Sequence, residues 1–373
     1  MYYKLNSNCQ LVKGACRGAI YDFKSGKVFS INRDALLLLE ECRDKPISEV
    51  MDAGMTENRQ ALDFIDKLTN RGLGAIYMNK PKDTKMPVAG YPEVKLSFLW
   101  LELTSRFNNK CLHCYSSSDA CRNNDRVTHE RWMSLISEAR REGAASIQFI
   151  GGEPLLYPKW WELVIKADEE IHDKVTSHRG SFNKTLDAVR KIVDSAIPLR
   201  VASIIMKANE NEADKIMKFL AGMGVTANTP DVVRPTGRGD DRGLLPADYK
   251  RPLIEPPFYT EAETFWKAHK YHSCLSGKIA VTSAGEVIPC IFARKEACGN
   301  ICTSSLREIL DSPALQKYWR TTKDQVEKCM DCEYRYACCD CRPKAQGSSS
   351  DKDWFACTED CSYNPYTGLW EDT

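Results

Sequence analysis

The chain has 373 residues, 43% of them hydrophobic and 28% charged, with 52 basic against 51 acidic side chains and a formal net charge of +1. That length points to two or three domains with real apolar cores, and the near-neutral balance speaks against a nucleic-acid-binding face. No basic stretch followed by an apolar one opens the sequence, and the longest aliphatic run, Ala35 to Leu39, is far too short to cross a bilayer, so the expected location is cytoplasmic with no membrane partner.

Residues 1–80 open with short strand-like runs, Ala19 to Phe23 and Lys27 to Ile31, followed by helical patterns at 34–43 and 57–71. The second helix has Thr56 as a cap, Glu57 against its dipole and Gly72 as its stop, with Ala61, Leu62, Ile65 and Leu68 at helical spacing. A unit of this size and order resembles a winged helix. Residues 81–94, with three prolines and scattered lysines, read as a linker. Residues 95–250 alternate strands and helices. Lys95 to Leu103 reads as a strand buried on both faces, Thr128 to Glu142 as a helix with Trp132, Leu135, Ile136 and Ala139 on one face, and Ser146 to Ile150 as the next strand. Helices near 159–170, 181–194 and 211–221 and a strand at 199–207 continue the pattern. The fold class is therefore α/β, a parallel sheet with crossover helices in an open sheet or barrel.

Residues 270–373 are turn-rich and short of long periodic elements, which predicts a segment that hydrophobic burial alone does not hold together. Of the 17 cysteines, six lie in 9–121, none in 122–273 and eleven in 274–361. In a reducing compartment such clustering points to metal ligation rather than disulfides. The densest block is Cys329-Met-Asp-Cys332, then Cys338 and Cys341, with Cys274, Gly285 and Cys290 upstream and Cys357 and Cys361 downstream. Zinc would satisfy one group of four, but the thiolates outnumber one zinc and no histidine shares the block, which favours more than one iron–sulfur cluster. Cys298, Cys302, Cys339 and Cys357 are weighed as spectators, and Cys9, Cys16 and Cys42 as small buried hydrophobes.

The order Cys274, Gly285, Cys290, then Cys329, Cys332 and Cys338, resembles the SPASM domain of radical SAM peptide maturases, as do Glu333 to Cys338 and the ending Tyr363 to Gly368. The resemblance implies two auxiliary [4Fe–4S] clusters, one on Cys329, Cys332, Cys338 and Cys361, the other on Cys274, Cys290 and Cys341 with its fourth ligand open between Cys298, Cys302 and a substrate site. The middle region resembles the radical SAM core at Thr104 to Tyr115, which holds Cys111 and Cys114, and at Gly151-Gly152-Glu153-Pro154. In that family three cysteines hold a [4Fe–4S] cluster whose fourth iron is chelated by S-adenosylmethionine, and the glycine-rich segment binds the cofactor's amino group.

This core departs from the family twice. Phe107 stands where the first cluster cysteine belongs, and Cys121 is at a foreign spacing. Resemblance then resumes at His172 to Val175 and Gly180 to Phe182, only 18 residues after Pro154, as if the third and fourth strands were missing. Six βα units of roughly 30 residues need about 190, whereas 95–240 supplies 146. The expected architecture is a partial, truncated radical SAM β/α barrel between an N-terminal winged helix and a C-terminal SPASM domain.

In that company residues 1–80 look like the leader-recognition element of such maturases, similar to the small protein of pyrroloquinoline quinone biosynthesis, which takes a leader peptide as an added strand. A DNA-binding winged helix is the rival, but the second helix mixes Arg59, Lys67 and Arg71 with Glu57, Asp63 and Asp66, too neutral for a phosphate-facing surface. A helical prop for the barrel is the third reading. The resemblance thus implies S-adenosylmethionine-dependent radical crosslinking of a ribosomal precursor peptide. The alternative is an inactive iron–sulfur relative that binds the precursor and delivers it to, or pairs with, an intact radical SAM paralogue.

Overall fold

The computed structural model describes residues 1–52, 58–81, 93–106, 125–152, 154–158, 163, 200–225, 227–233, 241–247 and 254–371. The chain begins with β1 (Tyr2–Leu5), β2 (Cys9–Lys13), β3 (Gly18–Asp22) and β4 (Val28–Ile31), then α1 (Arg33–Cys42), α2 (Ile47–Asp52), α3 (Asn58–Asn70) and β5 (Gly74–Tyr77). β2, β3 and β4 form an antiparallel meander, and β5 returns to pair antiparallel with β1. Asn32 caps α1 by accepting the Ala35 amide at 2.9 Å, leaving Leu36, Leu38, Leu39 and Cys42 buried over the sheet. α3 ends at Gly72, whose φ of +69° suits a glycine stop, and Leu73 donates back to the Leu68 carbonyl at 3.0 Å.

Ala61, Ile65 and Leu68 face the core, but Leu62 is 46% exposed. Spacing put all four on one stripe, and the helix buries only the three that return at i+4 and i+3. The cap expected at Thr56 lies outside the described residues. Cys9 and Cys42 are buried, as small hydrophobes would be, while Cys16 is half-buried.

The central sheet is built on β6 (Phe98–Glu102). β7 (Ser146–Ile150) pairs parallel on one side, after α4 (His129–Arg141) has crossed over between them. Thr128 caps α4 and Trp132, Leu135, Ile136 and Ala139 are buried, as their spacing requires. β6 is shorter than the run from Lys95 suggested, and its first face is open, with Phe98 and Trp100 only half-buried. β8 (Arg200–Ile205), α5 (Ala213–Gly222) and β9 (Ala227–Val232) follow, β8 and β9 pairing parallel. Apart from the buried Leu163, the helices expected near 159–170 and 181–194, and the segment on which the missing strands were argued, lie outside the described residues.

The other side of β6 is taken by β10 (Lys278–Val281), also parallel, and β11 (Glu286–Ile288) and β12 (Gly299–Asn300) extend the sheet antiparallel, giving the order β12-β11-β10-β6-β7. α6 (Ala262–Ala268) precedes β10, and α7 (Leu306–Leu310), α8 (Pro313–Trp319), α9 (Arg342–Ser348), β13 (Tyr363–Asn364) and β14 (Leu369–Trp370) complete the chain. The C-terminal region is thus not short of apolar support. Leu275, Ile279, Val281, Val287, Ile301, Leu306, Leu315 and Trp319 share one core with Leu99, Leu101 and Trp132. That shared core arises because β10 takes the open edge of the central strand, a pairing across 180 residues that local patterning does not carry.

The turn between β2 and β3 docks on the cysteine-rich end of the chain. Ala15 donates to Asp331 at 2.8 Å and Cys16 to Pro365 at 3.1 Å, while Arg335 reaches back to the Lys13 carbonyl at 2.8 Å. A Cβ on Gly14 would stand 2.9 Å from both the Asp331 carbonyl and the Glu333 amide, so only glycine permits this approach.

Candidate functional site

Four loci carry candidate chemistry. The first is the turn after β7. Gly152 donates to the Thr104 carbonyl at 2.8 Å, continuing the β6–β7 ladder past its last pair. Gly151 has φ +157°, and a Cβ there would lie 2.6 Å from Thr104 O, while one on Gly152 would lie 2.1 Å from Arg106 O. The room these glycines give is therefore occupied by the chain's own backbone at 104–106. Pro154 opens a short 3-10 turn, Pro154–Leu156.

Asp125 fixes the same place from the far side of the cysteine loop. It accepts Thr104 Oγ1 at 2.6 Å, the Ser105 amide at 2.7 Å and Ser105 Oγ at 2.9 Å. Burial pushes its carboxyl up, but these hydrogen bonds outweigh burial and hold it below the usual range. Asp125 so joins the residues just before and just after the segment containing Phe107, Cys111, Cys114 and Cys121. That segment, and Glu153, lie outside the described residues. Gly152→Ala is expected to destabilise the protein by roughly 1–3 kcal/mol in denaturant unfolding, because the new Cβ must displace backbone rather than a side chain; an unchanged midpoint would contradict this packing.

The second locus is a nest of five cysteines. Cys329 opens a 3-10 turn, Cys329–Asp331, and Cys332 follows it. The Cys329 thiol donates to Cys357, and Cys357 donates to Cys361. Cys338 faces Cys329 and Cys357, and Cys332 faces Cys338 and Cys329. Donation to Cys357 and burial push Cys329 up, burial pushes Cys338 up to about 11, and the bond from Cys357 lowers Cys361. Main-chain amides point at the sulfurs: Tyr334 N lies 3.4 Å from Cys332 Sγ, and the Tyr363 amide donates to Cys361. Lys323 Nζ lies 3.9 Å from Cys329 Sγ. Cys357, weighed as a spectator, belongs to this nest, since the chain between 341 and 361 folds back to place it between two expected ligands.

Among the described residues no three His, Cys, Asp or Glu side chains close on a point as a single bare ion needs. A zinc ion draws four ligands to about 2.3 Å, whereas a cubane cluster spreads its thiolates over its corners. Five sulfurs with amide donors and a buried ammonium beside them fit the cluster, an anionic group whose sulfurs accept hydrogen bonds.

The third locus holds the remaining candidates. Cys274 is exposed, Cys290 buried and Cys341 half-buried at the start of α9. His272 Nδ1 accepts the Cys274 and Leu275 amides at 3.0 and 3.1 Å, and its Nε2 stands 3.5 Å from Asp340 Oδ1. Burial lowers His272 to about 3, so the ring is neutral and acts as a spacer between the loops of Cys274 and Cys341. Cys298 is buried in the shared core, as Cys290 is, and burial pushes the Cys298 thiol up to about 12. Cys302 and Cys339 are exposed.

The fourth locus is a groove of about 360 Å³ in the N-terminal module, between the β4 edge (Ser30, Ile31), α1 (Asp34, Ala35, Leu38) and α3 (Gln60, Ala61, Phe64). Asp22 donates to Lys27 O within the meander and Val28 donates outward to Phe258 O at 3.2 Å. By strand alternation the Ser30 main chain faces outward as well, beside the groove. Ser30 Oγ meets Arg17 Nε at 2.9 Å and Glu333 Oε1 at 3.4 Å, so this edge touches the loop that carries Cys332. The residues that motif reading missed are Asp125, Lys323, Glu333, Asp340 and Arg342. All are charged residues within or beside cysteine-bearing loops, which is the signal that marks them.

Residues 273–333 match the SPASM family, an iron–sulfur cluster-binding domain. The chain is 24% identical over 322 residues to an AdoMet-dependent heme synthase of Methanosarcina barkeri, covering 67% of this chain and 92% of that protein. It is also 24% identical over 305 residues to AlbA, the antilisterial bacteriocin subtilosin biosynthesis protein of Bacillus subtilis, covering 66% and 67%. In fold it matches Streptococcus suis SuiB, solved with bound S-adenosylmethionine, at TM-score 0.53 and 11% identity over 94% of this chain and 98% of that one. With its cysteine nest and its SPASM match, the chain carries an iron–sulfur SPASM domain and resembles the radical SAM proteins that have one.

Proposed function

We propose that the chain works in ribosomal-peptide modification: it binds a precursor peptide at its N-terminal module and serves S-adenosylmethionine-dependent radical crosslinking of that peptide. The observation that carries this reading is the β4 edge with its mixed polar and apolar groove, contiguous with the loop of Cys332. Heme synthases stand among the relatives, with sequence similarity over 67% to 79% of this chain, while the likeness in fold to SuiB runs over 94%. SuiB has also been solved with its precursor peptide SuiA.

In this reading residues 1–80 recognise the peptide, 95–250 form the shortened β/α domain and 270–373 carry the auxiliary clusters. Cys329, Cys332, Cys338 and Cys361, with Cys357 beside them, hold one cluster. Cys274, Cys290 and Cys341 hold the other. Gly151, Gly152, Glu153 and Pro154 serve as the cofactor-binding segment, and Cys111 and Cys114 as ligands of its cluster. At that turn the donor set falls short, since Phe107 leaves two thiolates where three are needed. A bound cluster with S-adenosylmethionine would supply one-electron cleavage of the cofactor.

Phe107 also favours a second reading, in which the chain binds the precursor and passes it to an intact paralogue. No helix among the described residues is long and apolar enough to cross a membrane, and cytoplasmic work suits both readings.

The test is co-expression with a short peptide encoded beside the gene, read by mass spectrometry and by pull-down. Loss of two hydrogens from the peptide supports the first reading. Unmodified peptide held by the protein supports the second. No binding, or tight binding of a porphyrin instead, would remove both.

A further inference from the structure

The cysteine nest has a charged neighbour that the cluster assignment does not use. Asp340 is 1% exposed at its side chain and meets Lys323 Nζ at 3.0 Å. It also pairs with Arg342 Nη2, and the Arg342 side chain is fully buried. Arg342 Nη1 donates to Trp354 O at 3.0 Å and Ala356 O at 2.8 Å, so the guanidinium supports the backbone that leads into Cys357. Its Nε has no hydrogen-bond partner among the described residues. Lys323 Nζ is shared between Asp340 and Cys329 Sγ, the latter at 3.9 Å. The buried group holds two cations beside one carboxylate, with Asp353 also near Arg342, and both Lys323 and Arg342 face Cys329, Cys338 and Cys357.

A buried net charge needs a counter-charge nearby. A cubane ligated by four thiolates supplies one, and one-electron reduction takes it from dianion to trianion. A cation beside it stabilises the reduced form, and an anion destabilises it. We infer that Lys323, Asp340 and Arg342 form a buried charge group that sets the reduction potential of the cluster in the C-terminal nest, Lys323 raising it and Asp340 lowering it. The inference rests on the reading that the nest holds a cluster. Lys323 and Asp340 act here as positioning residues for charge, not as ligands.

The test uses the anaerobically reconstituted full chain, with iron and sulfide counted first and the potential then followed by spectroscopic redox titration. Lys323→Met should shift the reduction equilibrium of the nest cluster at least tenfold toward the oxidised form, about 59 mV for one electron. Asp340→Asn should shift it the other way, and Lys323→Arg should stay near the native value. A merely structural network would not give opposite signs for two neutral substitutions. Full iron content with all potentials within tenfold of native would overturn the inference. Loss of the nest cluster in Lys323→Met with retention in Lys323→Arg supports it, because the charge is then what the cluster needs; loss in both overturns it, because shape is then what matters. A native protein with no cluster in the nest would instead defeat the underlying assignment.

Discussion

Replacing Phe107 by cysteine is expected to raise formation of 5′-deoxyadenosine from S-adenosylmethionine by at least about tenfold over the native chain, equivalent to about 1.4 kcal/mol of barrier. The substitution completes the three-thiolate set begun by Cys111 and Cys114 at the family spacing. Phenylalanine offers no electron pair to iron, so the native loop must either leave one iron without protein ligation or recruit a donor from elsewhere. Asp125 already pins both ends of the loop through Thr104 and Ser105, so the new thiol enters a loop of fixed span. The measurement is anaerobic turnover under reducing conditions with chromatographic detection of 5′-deoxyadenosine. Equal turnover in native and Phe107→Cys proteins would show that Phe107 is not limiting. A native chain at the cofactor-free background with a restored variant would select the binding reading over the enzyme.

The second large effect concerns the nest. The reconstituted native chain is expected to hold about eight irons in its two auxiliary cubanes, and Cys329→Ser or Cys338→Ser should each remove about four. Because cluster binding is also folding free energy, those variants should unfold at lower denaturant, while Cys298→Ser, a substitution in the shared apolar core, should keep its iron. Cys332→Ser and Cys357→Ser decide which of the five nest sulfurs is spare: the one whose loss leaves iron content intact is not a ligand. Iron loss from Cys298→Ser with Cys329→Ser unchanged would reverse the assignment.

Much of this was legible in the sequence where the signal is local. Thr128 and Gly143 bracket α4, and Gly72 closes α3, because caps and positive φ act within a turn. The cysteine block was legible because CxxC spacing aims two thiols at one point. Spacing fails where distance in sequence is large. Nothing near Lys278 announces that β10 lies parallel to β6, and nothing near Cys357 announces that its thiol meets that of Cys329. The glycine pair shows a different limit. Gly151 and Gly152 read as room for a cofactor, and the structure fills that room with Thr104–Arg106 backbone, since a tight turn beside a parallel neighbour imposes the same residue type. Leu62 was misplaced because helical spacing fixes angles, not which side of the stripe meets the sheet.

The docking of the β2–β3 turn on Asp331 and Glu333 bears on how such chains can be recombined. Phe258, Tyr334, Tyr363 and Trp370 stack beside it, with Phe258–Tyr334 and Tyr363–Trp370 centroids each 4.7 Å apart, and Tyr21 reaches the Glu333 carbonyl at 2.8 Å. The first eighty residues are therefore not a detachable cassette. Exchanging them between relatives would strip the cover from a wall of aromatic rings, so a functional chimera has to carry the final hairpin along with the first domain.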